Sequence, residues 1–225
     1  MSGRILVVNP NSNERVTADI AAAVEGLRIP GGPAIDCVTL AEGPSGIETQ
    51  VHVDTVVEPL LRLAKRESNQ TNAVVIACFS DPGLYSLREA LDIPVYGIAE
   101  SGFAVALTKG ERFGVISILG RSIPRHRRYV ASLGLGARLA GDRAIDMGVG
   151  ELGQRDPGHG ELVLRRMSEI GEQLKTEDGA DVLVLGCAGM ARHRKALEHR
   201  LGVPVVDPVQ AAVGLAQLTL QIDGA

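Results

Sequence analysis

Two of the three cysteines occupy equivalent points of two similar segments. Cys78 follows the apolar run AVVIA within NAVVIACFSDPGL, and Cys187 follows DVLVLG within ADVLVLGCAGM. Each apolar run predicts a buried strand, and each cysteine comes one or two residues after its end. A turn and a helical pattern follow in both segments. The matched placement indicates a shared chemical role, whereas Cys37 lies inside an alternating strand and is predicted to be structural.

A thiol at the carboxyl end of a parallel strand lies where α/β sheets form ligand sites. Backbone N–H groups of the turn and the next helix N-terminus point toward it, which is expected to lower its pKa from ~8.5 toward neutrality. Two opposed thiols suit the inversion of a carbon acid, because one thiolate removes the proton and the other thiol returns one to the opposite face. The two turns would supply N–H donors to the enolate formed between these steps.

Other chemistries fit the sequence less well. A buried cysteine is most often a small core residue, but the matched placement favours catalysis here. No CxxC pair, paired histidine ligands, GxGxxG or P-loop is present, so neither a metal nor a cofactor is predicted. A nucleophile pair of Cys187 with His193 is conceivable, yet His193 is expected on the solvated face of a charged helix.

Strand and helix patterns alternate along the chain, which predicts an α/β protein with a mostly parallel sheet flanked by helices. The predicted strands are 4–8, 34–40, 73–77, 94–98, 113–118, 136–140, 181–185 and 204–207. The predicted helices are 13–27, 53–67, 83–91, 101–110, 122–133, 160–176, 190–200 and 208–221.

The two cysteine segments belong to longer matching units. Pro94 stands sixteen residues after Cys78, and Pro204 stands seventeen after Cys187. Strand, cysteine, helix, proline and strand therefore recur in the same order. This recurrence predicts two copies of one α/β unit rather than a solenoid.

Composition sets limits on the partners. The 225 residues carry a net charge of -4, and aromatic residues make up 3%, so neither a nucleic acid nor a membrane is expected as a partner. One basic cluster (Arg121, Arg125, His126, Arg127 and Arg128) is interpreted as a solvated helix face. The odd cysteine count argues against a disulfide framework, and no apolar run is long enough to span a membrane. A cytoplasmic protein with free thiols is expected.

Several motifs resemble the hydantoin and allantoin racemase branch of the Asp/Glu racemase superfamily. They are VNPNS after the first strand, ACFSDPGL and LGCAGM around the cysteines, GPSGIE (43–48) and GIAESG (97–102). Gly46 stands where that branch usually has serine. The resemblance runs in the same order over nearly the whole chain.

The resemblance implies cofactor-independent racemisation by Cys78 and Cys187 in a homo-oligomer acting on a small molecule. It implies two pseudo-twofold-related, swapped-helix lobes: residues 1–97 with 208–225 carrying Cys78, and residues 98–207 carrying Cys187. It also implies a set of substrate-binding residues with three kinds of role. Asn9 would orient the ring, Ser117, Ile118 and Leu119 would line the pocket, and backbone groups of Phe79, Ser80, Ala188 and Gly189 would hold carbonyl oxygens.

Glutamate and aspartate racemases place Asp-Ser, Cys-Asn-Thr and Cys-Thr-His where this chain has Asn9-Pro10, Cys78-Phe79-Ser80 and Cys187-Ala188-Gly189. Side chains that would bind a free ammonium and carboxylate are absent from these points, which favours a neutral cyclic amide such as a 5-substituted hydantoin or allantoin. An amino-acid racemase, a decarboxylase, a maleate isomerase and a non-catalytic binding protein remain as alternatives. Decarboxylases of this fold use one cysteine, so the presence of both thiols argues against that alternative.

Overall fold

Residues 3–224 are described by a computed structural model, in which strands and helices alternate. The strands are β1 (Arg4–Asn9), β2 (Ala34–Thr39), β3 (Ala73–Ile76), β4 (Val95–Gly97), β5 (Phe113–Ser117), β6 (Leu139–Ala144), β7 (Val182–Leu185) and β8 (Val205–Val206). The helices are α1 (Glu14–Val24), α2 (Gln50–Thr55), α3 (Val57–Glu67), α4 (Leu84–Ala90), α5 (Ile98–Ala106), α6 (Ile123–Ser132), α7 (Val149–Leu152), α8 (His159–Thr176), α9 (Arg194–Leu201) and α10 (Pro208–Ile222).

The strands form two four-stranded parallel sheets with matching topology. The order is β2-β1-β3-β4 in the first sheet and β6-β5-β7-β8 in the second. Every residue of β3 and of β7 is buried, because helices cover both faces of each sheet, and this explains their continuous apolar runs. The predicted α/β class with two related parallel sheets is confirmed.

The two sheets exchange a helix. The α5 helix follows β4 of the first sheet directly, yet it packs against β7 and β8 of the second sheet. The α10 helix follows β8 and packs against β1, β3 and β4 of the first sheet. The two exchanged helices also pack on each other, where a Cβ on Gly102 would lie 3.1 Å from Pro208.

The exchange divides the chain at the ends of β4 and β8, where the predicted lobe boundaries also fall. The two-lobe division itself stays a prediction. Met1, Ser2 and Ala225, which the predicted lobes include, lie outside the described residues.

Several predicted elements differ from the observed ones. The helix predicted at 101–110 is observed at Ile98–Ala106, and the strand predicted at 136–140 is observed at Leu139–Ala144. The helix predicted at 53–67 begins at Gln50, because the Thr49 hydroxyl accepts a hydrogen bond from the His52 N–H, and it is interrupted at Val56. The helix predicted at 190–200 is preceded by a 3-10 turn, Ala188–His193, that starts directly after Cys187. Within residues 3–224, no helix is both long and apolar enough to cross a membrane.

Candidate active site

The Cys78 and Cys187 thiols are positioned by the same backbone arrangement. The Ala77 N–H, just before Cys78, donates to the Val8 carbonyl at 2.8 Å, and the Gly186 N–H, just before Cys187, donates to the Ile116 carbonyl at 2.8 Å. Each central strand is thereby extended beyond its last paired residue. A Cβ on Gly186 would lie 2.6 Å from the Ile116 oxygen, so glycine is required at this close approach.

The two thiols face one cavity. Six of the predicted site residues line it: Cys78, Phe79, Ser80, Ile118, Cys187 and Ala188. The charge of either thiolate would act on the other, since the presence of Cys187 raises the pKa of Cys78. The two sulfur atoms therefore line the same cavity within electrostatic range of each other.

The other four predicted residues lie outside the cavity lining. Asn9 is buried, and its amide donates to Asn11 Oδ1 and Thr17 Oγ1 at 3.0 Å, so it shapes the loop while Asn11 reaches the cavity. Leu119 packs against the core. Ser117 is hydrogen-bonded to His126 and Asp142. The Gly189 N–H is hydrogen-bonded to the Cys187 thiol.

The prediction that the thiol pKa values are lowered toward neutrality is wrong for this structure. Burial raises the pKa of Cys78 to about 12 and that of Cys187 to about 11. The backbone N–H groups of Ser80 and Gly189 do lower the respective pKa, as expected from the turns, but loss of hydration outweighs them. Burial also raises the pKa of Cys37 to about 11.

The basic cluster is only partly the solvated face that its sequence indicates. Arg127 and Arg128 are exposed, but His126 is buried and Arg125 is half-buried, and both line the cavity. The Arg125 Nε donates to the Ser80 hydroxyl at 3.0 Å, two residues after Cys78. The first turn of α6 thus contributes a guanidinium, from Arg125, and an imidazole, from His126, to the cavity wall that also contains Cys78.

His126 belongs to a buried polar set with Ser117 of β5 and Asp142 of β6. Its Nδ1 lies 3.0 Å from Asp142 Oδ2 and 3.1 Å from Ser117 Oγ, and the Ser117 hydroxyl donates to Asp142 Oδ1. With Nδ1 engaged, Nε2 is the ring nitrogen that remains for a ligand. The Phe79 ring meets the imidazole edge-on, with centroids 5.3 Å apart, which further holds its orientation.

Asp81 connects the loop after Cys78 to helices α5 and α6. Its carboxylate accepts from the Ala99 and Glu100 N–H groups at 2.9 Å, at the start of α5, and from the Tyr129 hydroxyl of α6 at 2.8 Å. Asp81 has a φ of 42° and is buried, and burial raises its pKa to about 6. This side chain therefore fixes the first cysteine loop relative to the helix that crosses to the second sheet.

The segment GPSGIE forms part of the cavity rim. Ile47, in the loop after β2, and Val149, at the start of α7, line the cavity, and Glu48 accepts hydrogen bonds from the Val149 N–H and the Arg121 guanidinium. A Cβ on Gly46 would lie 3.0 Å from the Val149 side chain, so a larger residue at this position would crowd Val149.

His193 is buried, which contradicts its predicted place on a solvated helix face. It lies in the 3-10 turn before α9, accepts a hydrogen bond from Arg192 Nε at 2.9 Å, and is not among the cavity residues. Burial lowers its pKa. It is a packed residue, and the structure gives no support to a Cys187–His193 pair. In the described part of the chain, no group of three or more His, Cys, Asp or Glu side chains is arranged around a common metal position.

Residues 5–216 match the family model described as Asp/Glu/Hydantoin racemase. The chain belongs to the Asp/Glu/hydantoin racemase family. This confirms the resemblance found in the motifs and the prediction that the chain is an isomerase.

Similar proteins carry related names. The chain is 34% identical to a hydantoin racemase of Paenarthrobacter aurescens, over 95% of this chain and 89% of the relative. It is 37% identical to a hydantoin racemase of Rhizobium meliloti, over 96% and 88%. Its fold superposes on an allantoin racemase from Klebsiella pneumoniae with a TM-score of 0.91 and 32% identity, covering 99% of this chain and 89% of that chain.

Proposed function

We propose that this member of the family racemises a 5-substituted hydantoin or allantoin at C5, without a cofactor, through Cys78 and Cys187. The observation that carries the proposal is that both thiols face one cavity from the ends of two related sheets. The hydantoin and allantoin racemases to which the chain is similar support this choice of substrate.

In the proposed reaction, the Cys78 thiolate takes the C5 proton and becomes a thiol, leaving the electron pair on the enolate of the ring. The Cys187 thiol then gives its proton to the opposite face of C5 and becomes the thiolate. The opposite enantiomer uses the two thiols in reverse order. The raised pKa of each thiol makes its thiolate a strong base, which suits removal of a weakly acidic carbon-bound proton.

The cavity suits a neutral ring. Its walls include the apolar side chains of Val16, Ile47, Phe79 and Val149, and no carboxylate is among its lining residues. The N–H groups of Ser80 and Gly189, which lie toward the thiols, and the neighbouring turn residues supply donors for carbonyl and enolate oxygens.

The test follows one enantiomer of a 5-substituted hydantoin, and separately of allantoin, in deuterated water. The native chain should lose optical rotation while deuterium enters C5. Cys78→Ser and Cys187→Ser should each lower the racemisation rate by at least about a hundredfold, since each removes an acid–base group. One enantiomer should retain exchange in each variant, because one thiol still faces it.

Cys37→Ser is the matched control, because Cys37 lies in β2 outside the cavity lining. It should racemise as fast as the native chain. Normal racemisation by either Cys78→Ser or Cys187→Ser would refute the two-thiol mechanism, and inactivity of the native chain toward all ureides would refute the substrate class.

A further inference from the structure

Arg125 is a cation of the cavity wall that lacks an acidic partner. Its Nε donates to Ser80 Oγ at 3.0 Å and one terminal nitrogen donates to Ser122 Oγ at 3.3 Å. Within residues 3–224, no carboxylate lies within 4.0 Å of its guanidinium. Several of its five N–H groups therefore remain available to a ligand.

The surroundings disfavour this unpaired charge. Burial, and then the nearby charges of Arg128 and Arg121, lower the pKa of Arg125, whereas a negative charge on Cys78 would raise it. Arg121 is paired with Glu48, and Arg128 donates to Gln50, so neither neighbour leaves an acid for Arg125. Asp54 acts on Arg125 only from beyond salt-bridge distance and is itself bonded to Gln50. An anionic group of a bound substrate would stabilise this half-buried, unpaired guanidinium.

We propose that Arg125 is a specificity-determining residue that binds a carboxylate at the end of the C5 substituent. This inference rests on the proposed function and narrows its substrate class to hydantoins with an acidic side chain. A guanidinium presents a planar fork that matches the two carboxylate oxygens. Ser80 anchors this fork to the loop that carries Cys78, so a ring seated between the thiols directs its substituent toward Arg125.

Two probes that differ in charge but hardly in shape test the inference: 5-(2-carboxyethyl)hydantoin and its amide, 5-(2-carbamoylethyl)hydantoin. The native chain should have a kcat/KM for the acid at least about tenfold above that for the amide, as one charged hydrogen-bonded pair would give. Arg125→Gln should reduce this ratio to near one, and Arg125→Lys, which keeps the charge and loses the fork, should give an intermediate ratio.

Arg127→Gln removes the same charge from the exposed side of α6 and is the matched control. It should keep the native ratio. Circular dichroism of all variants checks that they are folded. Dissociation constants of acid and amide, measured by titration calorimetry with Cys78→Ser and Cys187→Ser chains, should show the same preference in the absence of turnover.

Equal native kcat/KM and equal affinity for acid and amide would overturn the inference, and so would an acid preference that survives in Arg125→Gln. A loss in Arg125→Gln that is equal for both probes would also overturn it and would indicate support of the Cys78 thiolate instead. If the native chain binds the acid more tightly but racemises neither probe, the proposed function fails while the carboxylate site stands.

Discussion

At the scale of single residues, burial decides the behaviour of the two thiols. The turns donate N–H groups to the sulfur atoms as the sequence predicts, but both side chains lie in a cavity with largely apolar walls. Each thiolate loses more hydration than the single backbone hydrogen bond, from Ser80 to Cys78 or from Gly189 to Cys187, restores. The resting form of the site therefore keeps both thiols protonated at neutral pH.

The pH dependence of racemisation follows from these pKa values. The proposed reaction needs one thiolate. With the thiol pKa values raised to about 11 and about 12, the thiolate population grows tenfold with each pH unit well below 11. We expect kcat/KM for a non-ionising hydantoin to rise roughly tenfold per unit between pH 6.5 and 8. A plateau that begins below pH 8 would show that another group lowers a thiol pKa in the free enzyme.

The sequence predicts the two cysteines but not their polar neighbours. Arg125 and His126 were grouped with exposed arginines, because a run of basic residues usually forms a solvated surface. A usable signal was the i, i+4 spacing of His126 and Val130, which places the histidine on the buried face of α6. Asp142 lies on β6, a strand with a weak apolar pattern, so its contact with His126 arises only from the tertiary fold.

At the scale of elements, α5 depends on a cap that comes from another loop. Its preceding residue, Gly97, has no side chain to accept from the first N–H groups, and the Asp81 carboxylate serves instead. A Cβ on Gly97 would lie 2.2 Å from the Asp81 carboxyl carbon, so the glycine makes room for the cap.

Asp81→Ala should lower the free energy of unfolding by about 2 kcal/mol, because it removes a helix cap and leaves the Tyr129 hydroxyl without its partner. Urea unfolding followed by circular dichroism measures the change. The exposed Asp54→Ala is a control that should stay within about 0.5 kcal/mol of the native chain. Equal midpoints for the two variants would show that Asp81 does not support α5.

The order of strands and helices follows from hydrophobic periodicity, and most element positions agree with the structure within a few residues. The patterns predict neither the break at Val56 nor the 3-10 turn after Cys187, and the turn depends on contacts distant in sequence. The turn, for example, packs against α1. Local patterns predict where an element lies but seldom how its end is shaped by a partner.

At the scale of the whole molecule, the helix exchange couples the two sheets. Each sheet is covered in part by a helix that follows the last strand of the other sheet. The α5 helix follows β4 and packs on the second sheet, and α10 follows β8 and packs on the first. Independent unfolding of one sheet would expose apolar surface on both. The repeated motifs predict the duplication, but the packing of the exchanged helices rests on the family resemblance rather than on any local pattern.

We expect the two sheets to unfold together. Cys78 and Cys187, which end the central strands of the two sheets, should become reactive toward a thiol reagent at the same urea concentration. Pulse labelling followed by mass spectrometry of the two cysteine peptides measures both in one sample. Labelling of one thiol at a clearly lower urea concentration would show that one sheet opens by itself.

The two halves of the cavity are related but unequal, since Arg125 is hydrogen-bonded to Ser80 in the loop after Cys78, whereas Cys187 is followed by Ala188 and Gly189. For a racemase, the mirror-image forms of a substrate have equal free energy in water, so the equilibrium constant is one. The ratio kcat/KM must then be the same in both directions, however much the two halves of the cavity differ. The difference between the two halves can still give the two enantiomers different kcat and KM values. The enantiomer with the lower KM then has a kcat that is lower by the same factor.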